Sequence, residues 1–212
     1  MVTVTWHGHS LFQVQGSATV ATDPHNGESL GLPVPAFRAD VVTVSHSHGD
    51  HVSGLGLFTG ATVLSEAEEA TVRGVRLKGV ECHHDDDRGR RQGPNLVWSF
   101  NLDGVRFTHT GDLGHNLTAR QLQEIDQTDV LFIGTGSDVA MAEENALLLD
   151  PRVVVPMHYE TPGLVFPRFK LKAVDEFTAG KQRVAQVGRS HEYTPETLPQ
   201  RPEVHVYAPP KL

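Results

Sequence analysis

The chain has 212 residues, 38% of them hydrophobic, which is enough for one sizeable core and short for two. Its 18 basic and 26 acidic side chains give a net charge of −8, which argues against the basic face of a dedicated nucleic-acid binder. Its one cysteine, Cys82, excludes an intrachain disulfide, and no apolar run approaches the roughly 18 residues of a membrane span.

Val2 to Trp6 alternates as a strand, His7-Gly8-His9-Ser10 interrupts it, and Leu11 to Val14 resumes. After a Gln15-Gly16 turn comes a third strand, Ala18 to Thr22, and this spacing predicts an antiparallel meander that stops at Pro24. No charged segment with a following apolar stretch precedes the first strand, so a cytoplasmic protein is expected. His25 to Asp40 reads as a loop.

Val41 to Val44 is a β-branched, apolar run that reads as a buried strand. It leads into Ser45-His46-Ser47-His48-Gly49-Asp50-His51. Imidazole nitrogen and carboxylate oxygen are the groups that hold zinc and similar divalent ions. Side chains two apart on extended backbone share a face, so His46 and His48 can point at one ion. Gly49 allows a sharp turn, after which Asp50 and His51 can leave toward a second ion. A structural zinc site would favour thiolates, and only Cys82 is present.

A short helix is expected over Val52 to Phe58 and a strand over Thr62 to Leu64. Glu66 to Ala70 reads as a helical turn, and Thr71 to Glu81 as two short strands around Gly74 and Gly79. Cys82-His83-His84-Asp85-Asp86-Asp87 ends the second of them and is the expected source of a third ligand; Cys82 itself reads as a buried, inert thiol. Arg88, Arg90 and Arg91 form the only basic cluster, in the polar loop that follows. Leu96 to Leu102, Asp103-Gly104 and Val105 to His109 spell a hairpin. Asp112, between Gly111 and Gly114 at a strand end, can bring a carboxylate close to a metal centre.

Thr118 to Ile125 reads as an amphipathic helix with Thr118 as N-cap, and Val130 to Ile133 as a buried strand. The loop Gly134-Thr135-Gly136-Ser137 lacks the lysine of a phosphate-binding P-loop. A helix over Ala140 to Leu149 and a strand over Val153 to Val155 follow, and the latter delivers His158. A last helix is expected over Phe169 to Ala179, and edge strands over Val184 to Val187 and Val204 to Ala208. Strands cluster first and then alternate with helices, which fits a single α/β domain over residues 1–212 with two mixed sheets packed together and helices outside.

The pattern His-x-His-x-Asp-His behind an apolar strand resembles that of the metallo-β-lactamase superfamily of binuclear metallohydrolases. The resemblance is carried further by Trp6-His7-Gly8-His9-Ser10, Thr22-Asp23-Pro24, His84-Asp85-Asp86, Gly111-Asp112-Leu113-Gly114-His115 and Val155-Pro156-Met157-His158-Tyr159. These segments are similar to the subgroup built on the beta-lactamase superfamily domain of type 3, which has lactonases and phospholipases D among its relatives.

The resemblance implies an αββα sandwich with its site on the shared edge of the sheets. It implies that His46, His48 and His84 bind a first ion, that Asp50, His51 and His158 bind a second, and that Asp112 bridges them. His84 is preferred to His83 because the Asp85-Asp86 pair after it matches the family pattern. Zinc suits this donor set; manganese, iron or nickel are the alternatives. The implied activity is a hydrolase that uses a metal-bridging hydroxide to cleave an ester, lactone or phosphodiester of a small molecule. Asp50 would orient the nucleophile. His115 and Tyr159, and also His9, are the candidates for proton donor to the leaving group. A non-catalytic binding protein on the same fold is the alternative reading. His25 to Asp40, Asp85 to Asn95 and Thr161 to Arg168 are candidate substrate loops, and the aliphatic residues of Gly31 to Phe37 give the first an apolar lip.

Overall fold

A computed structural model describes residues 1–166 and 169–211. The first half of the chain is almost all strand: β1 (Val2–Trp6), β2 (Phe12–Gln15), β3 (Thr19–Thr22), β4 (Val41–Thr43), β5 (Thr62–Leu64), β6 (Glu69–Val72), β7 (Val75–His83), β8 (Pro94–Leu102) and β9 (Val105–His109). One short helix, α1 (Gly49–Val52), lies among them. Then come α2 (Ala119–Ile125), β10 (Val130–Gly134), α3 (Val139–Leu149), β11 (Val153–Met157), α4 (Val174–Thr178), β12 (Val184–Val187), β13 (Ser190–Tyr193) and β14 (Glu203–Tyr207).

The strands form two mixed sheets, ordered β13-β1-β2-β3-β4-β5 and β12-β14-β11-β10-β9-β8-β7-β6. The expected meander is present as the antiparallel β1, β2 and β3. Inward-facing residues of both sheets make one core, in which Trp6, Phe12, Trp98, Phe107 and Phe132 are fully buried. Phe12 stacks on Phe132 at 4.3 Å across the sheets. The Trp98 indole donates to the Val44 carbonyl at 2.9 Å, which ties the larger sheet to the strand that leads into the histidine motif.

The outer face of the larger sheet is covered by α2, α3 and α4, through Ile125, Ala142, Leu149 and Phe177. The outer face of the smaller one is covered by Phe58 with Phe37, Val52 and Leu55, which belong to α1, a 3₁₀ turn and loops. Layers of this kind around two sheets are the expected sandwich, with only a thin helical cover on one side. Among the described residues no helix is long and apolar enough to cross a membrane.

Several local expectations are corrected. Glu66 to Ala70 is not a helical turn; its end belongs to β6, which forms a hairpin with β7. Gly79 does not break β7. It sits opposite Trp98, and a Cβ there would lie 3.0 Å from the indole, so the glycine leaves room for the ring. The helix expected from Phe169 shrinks to Val174–Thr178, because Lys172 donates its backbone N–H to Gly136 and accepts one from Glu160. The polar Ser190–Tyr193 is a strand on β1, and β14 lies inside its sheet between β12 and β11. Of the expected substrate loop Thr161 to Arg168, residues 167 and 168 lie outside the described residues.

The topology brings strand ends together. In the smaller sheet β1 and β3 are each antiparallel to β2, and β4 is parallel to β3. In the larger, β7 and β9 are each antiparallel to β8, while β10 is parallel to β9 and β11. So β1, β3 and β4 end on one side of their sheet, and β7, β9 and β11 on one side of theirs. The segments that follow these ends carry His9, Asp23, His46 to His51, His84, Asp112 and His158.

Candidate metal centre

His46 and His48 come off extended backbone beyond β4, and Asp50 and His51 sit in the first turn of α1, with His48 as its N-cap. The rings of His46, His48 and His84 form a triangle with centroids 4.6, 4.9 and 5.0 Å apart. His51 and His158 stack at 5.5 Å. Ligand atoms of His46, His48 and His84 lie within 4.8 Å of one another, and so do those of His9, Asp50, His51 and His158.

Asp112 stands between the two groups. Its Oδ2 is 3.1 Å from His84 Nε2, 3.2 Å from His158 Nε2 and 3.8 Å from His46 Nε2; its Oδ1 is 3.4 Å from His51 Nε2. The turn that presents it is held by the buried Asn95, which accepts the Asp112 N–H at 3.0 Å and donates to the Thr110 carbonyl at 2.9 Å.

A buried carboxylate sets the direction of the histidines. Asp23 accepts His51 Nδ1–H at 2.8 Å and the Ser45 hydroxyl at 2.6 Å. Ser45 Oγ lies 2.9 Å from His46 Nδ1, so that ring donates to the hydroxyl. Both imidazoles are thereby held with the proton on Nδ1 and the lone pair on Nε2. The Nε2 atoms of His46, His51 and His158 are buried and have no hydrogen-bond partner. Buried polar atoms are normally satisfied; apart from the hydroxyls of Ser10, Thr43, Thr135 and Thr161, the unsatisfied buried side-chain atoms among the described residues are ring nitrogens of this cluster. Imidazole lone pairs beside two carboxylates are the donor set of a divalent cation, so these residues fit a metal.

The electrostatics agree with that fit. Burial would raise the carboxyl of Asp112, but His158 and His51 hold it well below the usual range. Burial likewise opposes ionisation of Asp50, and the imidazoles of His158, His51 and His9 beside it pull it down instead. Both therefore stay anionic at neutral pH, as metal binding requires. Burial pushes His46 down to about 3. His158, where Asp112 and Asp50 outweigh burial, is lifted to about 9, so without an ion it carries a proton that metal binding would displace.

The suggested proton donors part company. His9 joins the cluster, with Nε2 2.9 Å from Asp50 Oδ2. His115 does not. Its Nδ1 bonds the Asn116 carbonyl at 2.8 Å and its Nε2 accepts the His83 N–H at 3.2 Å, so it braces the strand end that carries His84. Tyr159 is buried in the core against Trp6, with ring centroids 5.3 Å apart. Their nearness in sequence to Asp112 and His158 does not carry them into the cluster, because the His83 N–H and the Asn116 carbonyl hold the His115 ring and the core takes Tyr159. His83 turns toward His115, whereas His84 enters the triangle.

Asp23, Ser45 and Asn95 are further residues of the site that the donor-atom pattern of the sequence does not mark. The available signal was a carboxylate at a strand end, in Thr22-Asp23-Pro24. The acidic run Asp85 to Asp87 also holds more order than its composition suggests. Asp85 accepts the backbone N–H groups of Asp87, Gly89, Arg91 and Gln92, which knots the loop beside the cluster.

A cavity of about 340 Å³ opens onto His84, Asp112 and His158. Its lining includes Leu113, Ile133, Met141, Phe166 and Phe169. Arg91 also lines it and is paired with Asp86.

A model of the beta-lactamase superfamily domain matches residues 3–158. Proteins named UPF0173 metal-dependent hydrolase from Archaeoglobus fulgidus and Pelotomaculum thermopropionicum are each 28% identical to this chain. The first match covers 76% of this chain and 85% of the relative, the second 89% and 99%. A Thermotoga maritima structure assigned to the Zn-dependent hydrolases of the metallo-β-lactamase superfamily is 32% identical, with a TM-score of 0.75 over 98% of both chains. Igni18, a metallo hydrolase from Ignicoccus hospitalis, shares the fold with a TM-score of 0.67 at 23% identity, over 91% of this chain and 99% of its own.

Proposed function

The chain belongs to the metallo-β-lactamase superfamily, and we propose that it is a metal-dependent hydrolase that holds two divalent ions and cleaves an ester or lactone of a small molecule. The carrying observation is Asp112, whose carboxylate reaches His46 and His84 on one side and His51 and His158 on the other, at 3.1 to 3.8 Å. His46, His48 and His84 would hold the first ion, and Asp50, His51 and His158 the second, with Asp112 between them. The histidine-rich donor set favours zinc, with manganese, iron and nickel as competitors.

Bound divalent ions supply the Lewis acidity that activates water at neutral pH and polarises the bond under attack. The protein's own part is orientation. Asp23 and Ser45 keep the Nε2 lone pairs of His51 and His46 turned inward. Asp50, with Oδ2 3.3 Å from His51 and 3.6 Å from His158, is the carboxylate that would orient an attacking water by accepting its hydrogen bond. Phe166, 5.3 Å from His158 and 5.6 Å from His9, keeps water from that flank.

The cavity supports an ester or lactone ahead of a phosphodiester. The apolar part of its lining, Leu113, Ile133, Met141, Phe166 and Phe169, suits an acyl or ring carbon skeleton, and Arg91, the one arginine or lysine among its described lining residues, is already paired with Asp86.

Metal content by elemental mass spectrometry, on protein purified without chelators, tests this reading. About two ions per chain are expected, falling to one or none in Asp112→Ala. A chain that takes up no metal after incubation with zinc and manganese would overturn it. The metal found is then the one to supply when esters, lactones and phosphodiesters are compared as substrates.

A further inference from the structure

The loop after β1 turns through left-handed backbone at two successive residues, Gly8 (φ 97°) and His9 (φ 53°). That conformation is routine for glycine and strained for histidine. His158, after β11 in the other sheet, is also left-handed, at φ 52°. The two are locked together. The His9 carbonyl accepts the His158 N–H at 3.2 Å and the Trp6 indole N–H at 3.1 Å. The two rings lie with centroids 3.9 Å apart. Strain of this kind persists only where its surroundings over-determine it, and it gathers at functional sites.

The result is a histidine, 1% exposed, whose Nε2 sits 2.9 Å from Asp50 Oδ2. A carboxylate only accepts, so Nε2 carries the proton. His9 Nδ1 is then a bare acceptor, buried and without a partner. The same Asp50 oxygen is 3.3 Å from His51 and 3.6 Å from His158, so the bond from His9 is its shortest contact to a histidine.

We propose that His9 is a positioning residue of the metal centre, whose Nε2–H fixes the Asp50 carboxylate against His51 and His158 so that the second group of ligands is set before an ion arrives. This rests on the binuclear reading above. It gives the Trp6-His7-Gly8-His9-Ser10 segment a definite job. The glycine makes the turn, the indole and His158 hold it, and the imidazole carries the constraint to Asp50. Neither proton donation to a leaving group nor direct ligation is needed.

The test is metal affinity of the full-length chain, read by competition with a chelator and by the absorption spectrum of the cobalt-loaded form. His9→Asn tolerates the left-handed turn, but its amide stops near the place of Nδ1 and does not reach Asp50. His9→Gln carries an amide N–H to about the place of Nε2. His9→Ala is the plain deletion. The more weakly held ion is expected to lose about 10–100-fold in affinity in His9→Asn and His9→Ala, with the tighter ion unchanged. Most of the loss should be recovered in His9→Gln, and only one cobalt spectrum should shift. Wild-type affinity for both ions in His9→Asn would overturn the proposal, and so would a His9→Gln protein as weak as His9→Asn. A wild-type chain that binds fewer than two ions would overturn the parent reading and this one with it; that failure shows without any variant.

Discussion

Asp23 and His51 are joined by a hydrogen bond of 2.8 Å between a carboxylate that is 1% exposed and an imidazole that is wholly buried. The same carboxylate oxygen accepts the Ser45 hydroxyl, which reaches His46. One anion thus fixes the tautomer of a histidine in each ligand group. Replacing Asp23 by Asn keeps the volume and weakens the acceptor for two donors. Asp23→Asn should bind zinc about 10–100-fold more weakly, measured by chelator competition. Unchanged affinity would mean that the histidines orient themselves.

Gly111 is the close-approach point beneath Asp112. Its φ is 55°, and a Cβ there would lie 2.3 Å from Ser45 Cβ and 2.5 Å from Asn95 Oδ1. Both neighbours are buried and hydrogen-bonded, so neither can retreat cheaply. Gly111→Ala should cost about 1–3 kcal/mol of stability in urea unfolding, from overpacking together with left-handed strain. Its metal content should fall as well, since Asn95 holds the Asp112 backbone. A wild-type urea midpoint would contradict this.

Acid should weaken the fold at a place remote from metal chemistry. Tyr207 donates to Tyr193 at 3.1 Å, and Tyr193 bonds His205 Nδ1 at 2.9 Å, which links β13 of one sheet to β14 of the other. Burial, helped by His191, pushes His205 down to about 4. A histidine depressed in the folded state contributes stability that is complete above its unfolded value of about 6.5 and is lost as pH falls toward 4. The loss should reach about 2–3 kcal/mol by pH 4. Urea midpoints between pH 7 and 4.5 should fall less steeply in His205→Gln than in the wild type. Equal slopes would refute the assignment.

Much of the architecture is legible in the sequence. The meander, the Asp103-Gly104 hairpin, the Thr118 N-cap and the histidine motif are all local patterns, in which the residues that specify the geometry are neighbours in the chain. What escaped the reading had its cause at a distance. Gly79 reads as a strand breaker until Trp98 stands opposite it. Ser190–Tyr193 has no apolar alternation and becomes a strand because β1 has an edge to offer. The segment before α4 stays extended because Gly136 and Glu160 take its backbone bonds.

The site divides in the same way. Sequence alone determined which residues are rich in donor atoms and how they are spaced behind β4, because imidazole and carboxylate chemistry and the period of extended backbone are properties of short segments. It could not decide which of His83 and His84 turns inward, or that His9 enters the cluster while His115 and Tyr159 stay out. Those outcomes depend on which strand ends share a rim and on which buried acceptors meet each ring. Asp23 finds His51 and Asp112 reaches four histidines only when β3, β4, β7, β9 and β11 end together. The candidate ligands are written in the chain, but their convergence belongs to the packing of two sheets.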